Sequence, residues 1–179
     1  MKVNLTEVNE AAKRVATSPG TTDIQLIAAW VMTETGVKTI RFRLLTAEAK
    51  KPTQGTEGSA GWDIYSGEDL TIAPGETAKV STGLAVELPR GYYLDVRSRS
   101  GHAAAGLTVA NSPGTIDWDY RGEVIVLLHN GGKAPVRIAE GARIAQFVMG
   151  KIVGVNWLET SGDLTTTKRG KGGLGSTGK

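Results

Sequence analysis

The chain has 179 residues, 40% hydrophobic and 22% charged, which is enough apolar material for one buried core and too little charge for a disordered polymer. A net charge of +3 and a pI near 9.2 suit a small polyanion but fall short of the concentrated basic face of a dedicated nucleic-acid binder. Zero Cys excludes disulfides, thiolate metal sites and cysteine nucleophiles, and the two histidines, His102 and His129, are too few for an all-histidine metal centre. The start MKVNLTEVNEAAKRV lacks the apolar stretch of a secretion signal, and the apolar run from Ile24 to Met32 is too short to span a bilayer. The expectation is a soluble, cytoplasmic protein with no membrane contact and no direct nucleic-acid partner.

Residues 1–37 read as an N-terminal extension. Val8, Ala11, Ala12 and Val15 recur at helical spacing, Ser18-Pro19-Gly20 interrupts, and Ile24, Ile27, Ala28 and Val31 resume, which predicts two short helices. Helices this short are marginal alone, so residues 1–36 must pack on their own domain, on a neighbouring subunit or on a protein partner. From Thr39 the period changes to two: Ile40, Phe42 and Leu44 alternate with Arg41 and Arg43. Strand-like runs follow at Leu70–Ala73, Lys79–Leu88, Tyr92–Val96, Glu123–His129, Val136–Ile138, Ile144–Met149 and Ile152–Trp157, separated by turn signals such as Pro74-Gly75 and Asn130-Gly131-Gly132. Residues 38–164 therefore read as one all-β sandwich or barrel. Within it, Val124 to Leu128 is continuously apolar, so both faces of that strand should be covered, by a second sheet or by another subunit.

Residues 165–179 offer little apolar surface and many glycines, so they read as a flexible tail. Arg169, Lys171, Ser176 and Thr177 suit this tail to wrapping a phosphate chain. Gly173 to Lys179 approaches the GxxxxGK spacing of a Walker loop, but lacks the strand and the helix that such a loop joins.

Four further stretches carry groups suited to chemistry. Asp63 sits in SAGWDIYS after small residues and beside aromatics. Arg97-Ser98-Arg99-Ser100-Gly101 follows a strand with two guanidiniums and two hydroxyls, able to hold phosphate oxygens or to form a solvated turn. In NSPGTIDWDYRG, Pro113-Gly114 signals a turn that sets Asn111 and Asp117 on flanking arms of a hairpin that can hold a planar base. There Asp117 is a candidate general base, Asp119 a partner for an arginine, and Tyr120 a flat face for a sugar. Gln146, in GARIAQ, is a polar side chain in an apolar strand and needs either backbone or ligand partners.

Taken in order, SAGWDIYS, RSG, NSPGTIDWDYRG, GARIAQ and RGKGGLGSTG resemble the five motifs of the homotrimeric dUTPase family, over residues 38–179. The resemblance implies a jelly-roll-like (β-clip) subunit, a homotrimer whose active sites are shared between chains, and hydrolysis of dUTP to dUMP and pyrophosphate. It makes Asp117 the base that activates water for attack on the α-phosphorus. It assigns substrate binding to Arg99, Ser100, Gly101, Asn111, Gly114, Thr115, Ile116, Tyr120, Gln146, Arg169, Gly173, Leu174, Gly175 and Ser176. Tyr120 would pack on deoxyribose and leave no room for a 2′-hydroxyl. The implied cofactor is Mg2+, carried by the substrate phosphates and water, with no direct protein ligand and Asp63 at most in its outer shell.

Three positions depart from the family pattern. Leu174 stands where an aromatic usually stacks on uracil, Trp62 where Tyr is common, and Ser98 where Pro is common. Two alternatives carry different expectations. A dCTP deaminase, or bifunctional dCTP/dUTP enzyme, shares the fold but usually has an RSSxxR-type second motif, whereas His102-Ala103-Ala104-Ala105 follows RSRSG here. A dUTPase with an added regulatory role would use residues 1–36 as the docking element.

Overall fold

The computed structural model describes residues 36–173. They form eleven strands and one short helix: β1 (Arg41–Leu44), β2 (Thr53–Gln54), β3 (Gly61–Tyr65), β4 (Leu70–Ile72), β5 (Thr77–Glu87), β6 (Tyr92–Arg97), α1 (Ser100–Ala104), β7 (Leu107–Val109), β8 (Gly114–Ile116), β9 (Glu123–Asn130), β10 (Val136–Ile138) and β11 (Arg143–Lys151). The predicted helices of the N-terminal extension lie outside the described residues, as do Leu174, Gly175 and Ser176.

The strands form a four-stranded sheet β1-β5-β9-β7, a pair β10-β4, and a five-stranded sheet β2-β3-β11-β6-β8, with every pairing antiparallel. Alternation does the work of forming the core. Val124, Val126 and Leu128 of β9 turn inward with Val80, Leu84 and Val86 of β5, and meet Leu94, Val96, Ile144 and Phe147 from the five-stranded sheet. Each such aliphatic side chain, once buried, contributes roughly 1.5–3 kcal/mol. Asn130, fully buried, closes one end: its amide donates to Ile72 O and Ala134 O and accepts from Gly132 N, all at 2.9 Å.

Two expectations change and a third is narrowed. Within one chain the second sheet covers the Val124, Val126 and Leu128 face of β9, while Ile125 is 39% exposed and Leu127 half-buried on the other face, the one open to another subunit in the sequence reading. The run Ile152–Trp157 forms no strand: the chain leaves the sheet after Lys151, and Val153, Val155 and Trp157 stand exposed without a neighbouring strand to pair with. The arms flanking Pro113-Gly114 do not form a ladder with each other among the described residues. β7 pairs with β9 and β8 with β6, so the turn, which contains a cis Ser112–Pro113 bond, crosses from one sheet to the other.

Candidate functional site

Strand register assembles the first half of the site. In the five-stranded sheet Asp63 of β3, Gln146 of β11 and Arg97 of β6 stand in one row, so their side chains share a face. Gln146 donates to Ser98 O at 3.0 Å, so its amide secures the loop that carries Arg99. Arg99 in turn donates from Nε to Asp63 Oδ1 at 2.8 Å, and Arg143 from Nη1 to Asp63 Oδ2 at 3.2 Å. Two guanidiniums thus share one carboxylate and the cluster keeps a positive excess, with the Arg143 side chain still half exposed. Ser100 and Gly101, both exposed, open α1 beside it.

The sequence reading passed over several members of this half. Arg143 and Gln146 are three apart, which strict alternation would put on opposite faces. A β-bulge between Arg143 and Ala145 inserts one residue and returns Arg143 to the Asp63 side. His102 of α1 lies near Arg99, Arg143 and Asp63; burial, and then the Arg99 charge, hold its imidazole below the ordinary value, and its Nδ1 is buried without a hydrogen-bond partner among the described residues. The buried Asp95 accepts from Arg97 at 2.8 Å and from the Thr115 hydroxyl at 3.3 Å, which joins the arginine-bearing end of β6 to β8.

The second half is a groove of about 230 Å3 lined by Thr115, Ile116, Asp117, Tyr120, Glu123 and Ile125. Asp117 is exposed, and no side chain among the described residues pairs with its carboxylate; a base must have such a lone pair open to water. The side chain of Asn111 packs against the buried Gly114, placing its amide at the turn that leads into the groove. Tyr120 donates its hydroxyl to Glu123 O at 3.0 Å. The Glu123 carboxylate accepts from the Ser81 hydroxyl and from the amides of Thr82 and Gly83, at 3.1 and 2.7 Å; the Ser81 bond above all holds it below the usual carboxylate value. Asp119 pairs with no arginine among the described residues. Arg121 instead donates to Trp118 O and Tyr120 O, both at 2.8 Å.

The two halves lie at opposite ends of β6. Ile116 faces Leu94, whereas Arg99 lies beyond Arg97, and Leu94 to Arg97 alone spans about 10 Å at about 3.3 Å per residue. One chain therefore does not bring Asp117 to the Arg99 cluster. Arg169 is also separate: it donates to Gly172 O at 3.0 Å in a local exposed turn, with Gly173 exposed after it. A larger cavity, about 360 Å3, is lined mainly by apolar residues including Phe42, Trp62, Phe147 and Met149, and presents no acid or base suited to hydrolysis.

The dUTPase family model matches residues 47–178. The deoxyuridine 5′-triphosphate nucleotidohydrolase of Chlamydia trachomatis serovar L2 is 45% identical over 141 residues, covering 77% of this chain and 97% of that protein. Its namesake in Clostridium tetani is 44% identical over 142 residues, covering 79% and 97%. Among solved structures, Staphylococcus bacteriophage 80alpha dUTPase with dUPNHPP superposes with a TM-score of 0.73 at 27% identity, covering 78% of this chain and 98% of that one. The dUTPase of S. aureus phage phi11, whose structure reveals the coordination of a structural Mg(II) ion, gives 0.66 at 26% identity, covering 71% and 99%. With a matching family model over most of its length and relatives this similar, the chain belongs to the dUTPase family.

Proposed function

We propose that the protein hydrolyses dUTP to dUMP and pyrophosphate. The observation that carries the reading is the combination of an exposed carboxylate, Asp117, without a side-chain partner among the described residues, in a groove of nucleoside size, with a separate arginine cluster built by Asp63, Arg99 and Arg143. The family membership and the dUTP nucleotidohydrolase relatives support the same activity and do not favour the dCTP deaminase alternative.

Asp117 takes a proton from a water molecule, whose oxygen forms a bond to the α-phosphorus. The bond from that phosphorus to the oxygen bridging to the β-phosphorus breaks, and pyrophosphate leaves with the electron pair. Arg99 neutralises charge on the leaving group, with Arg143 adding to the field and Ser100 and Gly101 offering hydrogen bonds. Asn111 reads the polar edge of uracil at the Gly114 turn, with Thr115 and Ile116 along the wall. A turn too tight for a 5-methyl group rejects dTTP, and hydrogen-bond polarity rejects dCTP. Gln146 keeps the Arg99 loop in place.

Magnesium enters this reading with the substrate, on its three phosphates, where it offsets their negative charge. Both Asp63 oxygens accept from guanidiniums, which leaves Asp63 at most an outer-shell role toward the ion.

The separation of Asp117 from Arg99 favours a site completed by other copies of the chain, as does the open Ile125 face of β9 beside Asp117. We therefore read the assembly as a homotrimer with shared active sites. Residues 165–179, with Arg169, Gly173, Leu174, Gly175 and Ser176, serve as the closing flap, residues 38–164 as the catalytic domain, and residues 1–37 as an extension.

Pyrophosphate release from dUTP, dTTP, dCTP and UTP with Mg2+ tests the reading. Wild type should act on dUTP alone. Asp117→Asn should lose about a thousandfold or more in kcat while still binding nucleotide. Ammonia release from dCTP, or full turnover by Asp117→Asn, would overturn it.

A further inference from the structure

Tyr120 is held from two sides. Its hydroxyl donates to Glu123 O at 3.0 Å, and its ring crosses the bare α-carbon of Gly122, where a β-carbon would stand 2.7 Å from Cζ. Real β-carbons do not approach other atoms this closely, so the ring occupies space that exists because residue 122 has no side chain. Glu123 is itself pinned: its carboxylate accepts three hydrogen bonds from Ser81, Thr82 and Gly83 at the bulge of β5, a strand buried in the core. The anchor of the Tyr120 hydroxyl is thus tied to the sheet and does not drift with the exposed loop around it.

We propose that Gly122 and Glu123 are the positioning residues for sugar selection: together they fix the Tyr120 ring at the depth that excludes a 2′-hydroxyl from the groove. The proposal rests on reading that groove as the deoxynucleoside site. Steric exclusion of one hydroxyl demands a wall that cannot retreat, because an exposed tyrosine free about χ1 and χ2 would swing aside for the ribonucleotide. The carbonyl tether and the close seat on Gly122 remove that freedom.

The test is the ratio of kcat/KM for dUTP to that for UTP, with pyrophosphate as the product measured. Gly122 does not have a positive φ, and the atoms an added methyl would meet belong to the far end of an exposed side chain, held there by one hydrogen bond, and none to backbone. Gly122→Ala should therefore fold and relieve the clash by displacing the ring. We expect its dUTP/UTP ratio to fall about tenfold or more. Tyr120→Phe, which loses only the hydroxyl tether, should lower the ratio by a smaller factor. Glu123→Ala should lower it, while Glu123→Gln, which keeps an amide oxygen for the bulge, should restore most of it.

Unchanged ratios in Gly122→Ala and Tyr120→Phe, including equal losses on both substrates, would overturn the proposal and leave the dUTPase reading standing. A wild type that hydrolyses both nucleotides equally also overturns it. A wild type with no activity on dUTP overturns the functional reading and the proposal together.

Discussion

The side-chain amide of Gln146 lies over the bare α-carbon of Gly61, with Cδ 3.1 Å from where a β-carbon would stand. That seat lets Gln146 reach Ser98 O at 3.0 Å and hold the loop from which Arg99 meets Asp63. A glycine on β3 thereby governs a polar contact on the loop after β6, through the strand between them.

Gly61→Ala should consequently displace Gln146 and loosen the Arg99 loop. A displacement of this kind costs roughly ten- to a hundredfold in kcat/KM for dUTP. Gln146→Ala should produce a similar loss, and the double variant should lose little more than either single one. Additive losses in that cycle would show that the two residues act separately.

Asp63 holds two guanidiniums by their neighbours' geometry, at 2.8 Å to Arg99 and 3.2 Å to Arg143. Asp63→Asn adds positive field but frees both arginines. The partly exposed setting limits the effect to about 1 kcal/mol, or about fivefold. Loss of orientation should dominate, so binding of a non-hydrolysable dUTP analogue, followed by calorimetry, should weaken by that factor. Tighter binding would mean that the field outweighs the geometry.

His102 gives the fold a pH dependence of its own. Burial first, and the Arg99 charge next, hold its imidazole below the ordinary value of 6.5, against the opposing pull of the Ile144 carbonyl and Asp63. The unfolded chain therefore takes up a proton as pH falls through about 6.5, while the folded chain resists doing so until lower pH. The native state loses relative stability across that interval and regains it as pH rises. His102→Leu should flatten the fall in melting temperature between about pH 7.5 and pH 5.5. Identical pH profiles for the two proteins would remove His102 as the cause.

Much of the β architecture was legible because strand signals are local. The alternation of Ile40, Phe42 and Leu44 predicted β1 as a strand with one buried face; the strand forms, but Phe42 and Leu44 are exposed in the single chain, whereas the run Val136–Ile138 coincides with β10. By contrast, β3 was hidden inside SAGWDIYS, and β7 and β8 flank the Asn111–Gly114 turn, where the sequence reading saw only the arms of one hairpin. Ile152–Trp157 alternates like a strand yet forms none among the described residues, since a strand needs a partner as well as a pattern.

By itself the sequence determined which side chains are available: an aspartate in a Gly/Pro turn context, arginines after a strand, and a glutamine in an apolar run, in an order that resembles one family. Tertiary structure alone decided which of these meet. The bulge before Ala145 turned Arg143 toward Asp63, the register of β6 with β8 set Asp117 at the far end from Arg99, and the missing β-carbon at Gly122 seated Tyr120. The reason is physical: pattern and propensity act over a few neighbouring residues, whereas register, bulges and close contacts depend on pairing between strands distant in the chain.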